Sequence, residues 1–418
     1  IEGYQQRQDL ESAGRATVVA GLAHRRRGTT KDGVALLEPM IERLTPSGPS
    51  PALASLHVTL SQLYMLVGRY REMLEPAERG GEIARAQGDE RLLGEAEMRR
   101  GVALDVLDQP EQGLCVLAEA LPLVEGGGDL LTLSTTLGNM GAGAERLGWM
   151  EQARRHFKQA LAVAERIGNP SQLCFAHANL GICLFGLGEW QEARRVLERA
   201  LPLLETAGRG SDAAMLLASL GELALYEGSW GEASRTLREA LAIAQEAGFR
   251  EGRDRAQVDL AALEVLRGRP REAIERLEPL AEGEAPGAAV LLPYLAWAHL
   301  RIGDEHLQQA AYVAEQAVTR ARKLPGTLAD ALWVQGMVLI RQGRHQEAER
   351  VLTEGAALAH EMPFPYFEAR ILVQLGILAQ QQGKPEEARQ RLEEALTIFR
   401  RLGAEKDVEQ VEGMLGES

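Results

Sequence analysis

Glycine recurs at a fixed interval in this chain. Gly28, Gly68, Gly148, Gly188, Gly228 and Gly268 lie on a grid of 40 residues whose only gap is Asp108; after one step of 35 it resumes at Gly303, Gly343 and Gly383. Seven residues earlier runs a second grid, Gly21, Ser61, Gly101, Gly141, Gly181, Gly221, Ala261, Ala296, Gly336 and Gly376, every member of which is small. Five residues after the first, a third grid carries Ala153, Ala193, Ala233, Ala273, Ala348 and Ala388. A fourth, at Gly48, Gly88, Gly128, Gly168, Gly208 and Gly248, separates one unit from the next. Self-similarity at such a period marks a stack of supersecondary units and has to be settled before any site is sought.

Between the glycines the apolar residues follow helical spacing, with few aromatics and few β-branched runs, so each unit reads as two helices. The first ends at a first-grid glycine, and the second starts a residue or two later and ends at the fourth grid. Glycine suits both ends because a helix commonly closes in a left-handed conformation. Pro110, Pro270 and Pro385 fall at the start of second helices, where a missing N–H is no loss. Small residues of the second and third grids lie where paired helices would cross, and Ala193 and Ala200 read as such contact points. Trp190 and Trp230, with Tyr70 and Met150 in the same slot, would be the bulky plugs beside them.

In one unit the pattern runs Leu180-Gly181, Leu184, Gly188, Ala193, Leu197 and Ala200. It resembles the tetratricopeptide repeat, whose signature is Trp, Leu-Gly, Tyr, Ala, Phe, Ala, Pro. His177 stands in the opening Trp slot, and Glu205 where the family often has a helix-stopping Pro, so the second helix is expected to run on to Gly208. Lengthened units of this kind are similar to those of kinesin light chain, of cell-polarity adaptors and of the sensor arms of large bacterial transcription activators of the maltose-regulon type. The resemblance covers about Gly3 to Gly403, roughly ten units. It implies an all-α fold, a right-handed superhelical solenoid of helix pairs with a concave groove. The expected organisation is an N-terminal array over residues 1–283, further repeats over 284–403, and a capping helix or truncated repeat over 404–418, where Val408, Val411 and Leu415 share a face. The shortened step leaves residues 281–288 to be read either as a kink or hinge or as a change of length alone.

Composition narrows the function. With 46 basic and 60 acidic residues the net charge of -14 repels a phosphate backbone, which argues against direct nucleic-acid binding. Cys115, Cys174 and Cys183 are odd in number and form no CxxC, so no disulfide framework or zinc site is expected, and a reducing, cytoplasmic setting fits. No run is long and apolar enough for a membrane span, and the opening IEGYQQRQDL carries no signal-peptide core. A start at Ile1 rather than Met reads as a piece of a longer protein. GILAQQQGKP from Gly376 has the wrong spacing for a phosphate loop, and GNMGAG from Gly138 follows no strand. GxSxG, HExxH and DxDxDG are absent and the eight histidines are scattered, so neither an enzyme nor a cofactor is expected. The run HRRRG, Arg25 to Arg27, ends a first helix; it reads either as a complement to the macrodipole or as an anion site.

The resemblance implies that the first helix of each pair lines the groove. It puts Asn139 and Asn179, each two residues before a small-grid glycine, where related arrays hold a peptide backbone; an amide both donates and accepts. Ser219, Asp259 and Gln374 are their equivalents. Phe175, Phe185 and Tyr226 fall on the same wall, as do Tyr294, Trp297 and Trp333 further on, and such aromatics would anchor a partner. Glu145, Arg146, Glu222, Arg255, Arg301 and Arg341 could add charged specificity. Each also has a structural reading, as a solvent-facing polar residue or as packing between units. The expected function is a non-catalytic scaffold holding a peptide or protein partner, the interaction arm of a larger bacterial signalling or transcription-regulatory protein. A small-molecule sensor is the alternative. The first would show Asn139 and Asn179 side by side in an open groove; the second would show an enclosed aromatic pocket near the shortened step.

Overall fold

A computed structural model describes residues 1, 3–4, 9–107, 109–208, 210–281 and 288–416. Among the described residues every regular element is a helix. The first pairs are α1 (Leu10–Arg26) with α2 (Thr30–Leu44), α3 (Pro51–Val67) with α4 (Leu74–Gln87), and α5 (Glu90–Val106) with α6 (Pro110–Gly126). They are followed by α7 (Leu130–Arg146) with α8 (Met150–Ile167), then α9 (Pro170–Gly186) with α10 (Trp190–Glu198) and the short α11 (Leu204–Ala207). Next come α12 (Ser211–Tyr226) with α13 (Trp230–Glu246), α14 (Arg250–Leu266) with α15 (Pro270–Ala281), and α16 (Ala288–Ile302) with α17 (Leu307–Ala321). The last are α18 (Pro325–Arg341) with α19 (His345–Glu361) and α20 (Pro365–Gln381) with α21 (Pro385–Leu402), closed by α22 (Glu405–Gly416). This is the expected all-α solenoid, with ten helix pairs among the described residues and a terminal helix whose Val411 is buried.

Local chemistry sets the boundaries. The glycines of the first and fourth grids all have positive φ, so the helices that end at them stop where the chain takes a conformation that glycine adopts cheaply. Asp89 and Asn169 accept from the backbone N–H three residues on, at 2.9 and 3.1 Å, which satisfies donors that the first turn leaves free. Pro110, Pro270 and Pro385 open second helices, as expected.

The small-residue grid is the crossing point of each pair. A Cβ placed on Gly181 would lie 2.4 Å from Leu197 Cδ2, one on Gly221 2.6 Å from Leu237 Cδ2, and one on Gly336 2.2 Å from Leu352 Cδ2. The second helix thus presses a leucine against the bare backbone of the first, and burying each such side chain is worth about 1.5–3 kcal/mol. Ala193 and Ala200 are fully buried, and so is Trp190, whose Nε1 donates to the Phe185 carbonyl at 3.1 Å.

Two expectations need correction. The second helix of the fifth pair does not run unbroken to Gly208: α10 ends at Glu198, and a 3-10 turn at Leu201–Leu203 precedes α11. Pro202 has no N–H to give to the Glu198 carbonyl, and Leu203 N donates instead to Ala200 O at 3.0 Å. In the second and eighth pairs the regular second helix starts not a residue or two after the glycine but at Leu74 and Leu307, behind 3-10 turns at Tyr70–Met73 and Asp304–His306. The expected kink at 281–288 lies mostly outside the described residues.

The spiral is tight enough for one turn to rest on the next. A Cβ on Gly28, in the first pair, would meet Glu246 O at 3.1 Å and Ala247 Cα at 3.4 Å, and one on Gly68 would meet Arg250 Cδ at 2.8 Å. Similarly, Gly148 faces Met362, Gly188 faces Pro365 and Leu402, and Gly228 faces Lys406. In each case the turn inside one pair rests on the chain about five pairs later. Gly268, Gly303, Gly343 and Gly383, the same turns in the last pairs, have open space around them.

Candidate functional site

The tight winding decides what becomes of the inner wall. Asn179 is buried beside Gly138, while Asn139 on the neighbouring first helix is half-buried, its Nδ2 3.6 Å from Met98 Sδ. Ser219 is buried and its hydroxyl donates to Met215 O at 2.9 Å. Phe175, half-buried, lies against Gly138. The two asparagines therefore occupy adjacent first helices but do not form an open, exposed pair.

Most of the aromatic residues singled out from the sequence meet in one enclosed cluster. Phe185 stacks on Trp190 and on Tyr226, with ring centroids 5.3 and 5.6 Å apart. The hydroxyls of Tyr226 and Tyr294 lie 3.2 Å apart, and Tyr294 donates on to Asp330 Oδ2 at 3.3 Å. Asp330 faces Arg370 at 3.5 Å, and the Arg370 guanidinium lies 3.5 Å above the Trp333 ring, which in turn meets Trp297 edge-on at 5.3 Å. Tyr366 closes the cluster from the last turn, packing on Trp190 and Tyr226 and donating to Asp407 Oδ2 at 3.2 Å. Burial raises both carboxyls to about 6; Arg370 and the tyrosine hydroxyls hold them from rising further.

A second, more polar stretch of the same wall surrounds Arg255. Glu222 accepts from Arg255, and Asp259, one helical turn along from Arg255, is buried with Oδ2 lacking any hydrogen-bond partner. Burial pushes the Asp259 carboxyl well above the usual range and that of Glu145 up to about 7; in both, Glu222 adds to the rise and Arg255 opposes it. Arg146 pairs with Asp105 at 3.3 Å.

At the last three pairs no later turn covers the wall. There a surface recess of about 460 Å³ is lined by Leu300, Met337, Ile340 and Ile377, with Arg301, Arg341, His345, Gln374 and Gln381 around them. Arg341 is held to Asp304 at 2.8 Å. Among the described residues no group of three or more His, Cys, Asp or Glu is placed to hold a metal ion, and no helix is long and apolar enough to cross a membrane.

Sequence reasoning passed over Asp330, Tyr366 and Arg370. The signal for two of them was available: Asp330 and Arg370 lie six residues before Gly336 and Gly376, as Phe175 and Arg255 lie six before Gly181 and Ala261. That is one helical turn before the position of Asn139 and Asn179, on the same face. Tyr366 carries no such mark, because its role comes from the meeting of two turns.

Residues 132–206 and 327–401 each match the family model for the tetratricopeptide repeat, and each match spans two successive helix pairs. No curated protein matches the chain. The matched segments are also those that dock on one another through Gly148, Gly188 and Tyr366. The helix pairing and the small-residue crossings run throughout, so the chain is an all-α, tetratricopeptide-like solenoid, two segments of which match the tetratricopeptide repeat itself.

Proposed function

We propose that the chain is a non-catalytic binding arm, which holds a peptide or protein partner and serves a larger bacterial signalling or transcription-control protein in the cytoplasm. The observation that carries this reading is the uncovered wall of α16, α18 and α20, where three consecutive first helices offer an apolar floor with Arg301 and Arg341 at its rim. An apolar patch ringed by charge suits a partner whose side chains enter the floor and whose acidic groups meet the rim. Tetratricopeptide repeats generally mediate protein–protein contacts, which supports the same conclusion. The test is capture of partners by the full chain against Met337→Asp, at a half-buried residue, and Arg301→Glu, at an exposed one. Loss of the captured protein in both variants, with the helical circular dichroism of the wild type retained, is expected. Capture that survives both substitutions would end this reading.

A second reading, a small-molecule sensor, is favoured by one observation: Phe185, Tyr226, Tyr294, Trp297 and Trp333 come together in an enclosed cluster rather than along an exposed wall. A ligand seated there would stabilise the folded form, so a metabolite panel giving no rise in Tm would count against it.

A further inference from the structure

Two edges of the spiral meet inside the molecule. One carries the turns within pairs and the other the turns between pairs; Met362 and Pro365 of the second are buried against Gly148 and Gly188 of the first. Because the units repeat, the same two edges occur again where nothing meets them. At the turns within the last four pairs, a Cβ on Gly268, Gly303, Gly343 or Gly383 would meet nothing within 4 Å among the described residues. A surface recess of about 350 Å³ opens at the first of these turns, lined by Arg269, Arg271 and Arg301 among others.

The turns between the early pairs carry the docking residues in kind. Pro170 opens α9 as Pro365 opens α20, and Ile167 stands three residues before it as Met362 does before Pro365. Leu131 is the second residue of α7, the place of Tyr366 in α20. Tyr366 is 7 % exposed and Leu131 47 %, so the same slot is filled against a neighbouring turn in one case and left bare in the other. Ile167 and Pro170 are half-buried. Charge favours joining the two open edges: Arg271, Arg301 and Lys384 are exposed around the late turns of a chain with net charge -14, while Glu90 and Glu125 are exposed on the early edge.

We propose that the chain associates head to tail with a second copy of itself. The edge carrying Leu131, Ile167 and Pro170 in one copy seats on the turns at Gly268, Gly303, Gly343 and Gly383 of the next, and the spiral continues from molecule to molecule. Each added copy leaves one edge of each kind open, so the contact is heterologous and grows into a row rather than closing as a dimer. Within one chain the contact joins tethered segments; between chains it has to offset the lost freedom of two whole molecules, so association depends on concentration. The seat adjoins the partner recess, and Arg301 lines both. This inference does not rest on the binding-arm reading, and the variants that test it lie outside that recess.

The test is sedimentation velocity of the full chain over a range of concentrations. Leu131→Glu spoils the early edge, and the double variant Arg271→Glu, Lys384→Glu spoils the late one. All three residues are exposed, so both variants are expected to keep the circular dichroism of the wild type. The wild type is expected to grow beyond a dimer as its concentration rises, and each variant alone to stay monomeric. An equimolar mixture of the two variants has one intact edge of each kind, so it should form a dimer and stop there. A wild type that is monomeric at every concentration or stops at a dimer, association unchanged in both variants, or a mixture that stays monomeric would overturn the proposal.

Discussion

The ring of Tyr366 lies 4.7 Å from that of Tyr226, although the two belong to the tenth and sixth helix pairs. Tyr366 also packs on Trp190 and Phe399, so one side chain joins two turns of the spiral to the core of the last pair. Tyr366→Ala should cost about 3–5 kcal/mol, as for other buried aromatic truncations. Tyr366→Phe keeps the rings and gives up only the bond to Asp407, at about 1 kcal/mol. Urea unfolding of both variants measures the difference.

Gly188 and Gly268 occupy the same turn in different pairs, with φ of 77° and 74°. Alanine at either should cost about 1–2 kcal/mol for the left-handed backbone. At Gly188 the new methyl would also meet Pro365 Cγ at 2.6 Å and Leu402 Cδ2 at 2.8 Å, whereas at Gly268 it meets nothing. Gly188→Ala is therefore expected to lose a further 1–3 kcal/mol or so, the cost of overpacking. Equal losses in equilibrium unfolding would mean that the two turns of the spiral are not in contact in solution.

Asp330 and Arg370 are both buried, so removing one strands the other. Asp330→Asn is expected to destabilise the chain by roughly 3–5 kcal/mol, because Arg370 keeps its charge without a carboxylate partner. The double variant Asp330→Leu, Arg370→Met should cost less than that single change. A double-mutant cycle by chemical denaturation checks both statements.

Glu145 titrates near 7 in the folded chain against an ordinary value of 4.5. A raised carboxyl pKa means that the folded state binds the proton more tightly. Its contribution is complete below about pH 4.5 and is lost as the pH climbs through 7. Glu145→Gln should flatten the stability profile across this window, read as Tm against pH for the two proteins.

The stacking of pairs was legible because it rests on contacts within one unit. Gly181 against Leu197 and Gly336 against Leu352 are neighbours in a pattern that repeats, and small residues at a constant interval have few other uses. The break before Pro202 falls outside the repeat pattern, which sets its helix-stopping proline three residues later, where this chain has Glu205. Asn139 and Asn179 were placed on the inner side of first helices, but their surroundings depend on the pitch of the spiral. Pitch sums small rotations over five pairs, and no single unit encodes it. For the same reason Tyr366 gave no warning that it would meet Trp190 and Tyr226.

The contact of Gly148, Gly188 and Gly228 with residues near Met362, Pro365 and Lys406 has a thermodynamic consequence. An array whose units touch only their neighbours melts by fraying from its ends, each unit leaving at its own small cost. Here the stretch from Met362 to Lys406, which contains the tenth pair, also braces the fourth, fifth and sixth, so losing it uncovers the middle of the molecule and not merely the ninth pair. Unfolding should be more concerted than in an open array of the same length, and a ligand that tightens one coil of the chain would be felt in the coil above it.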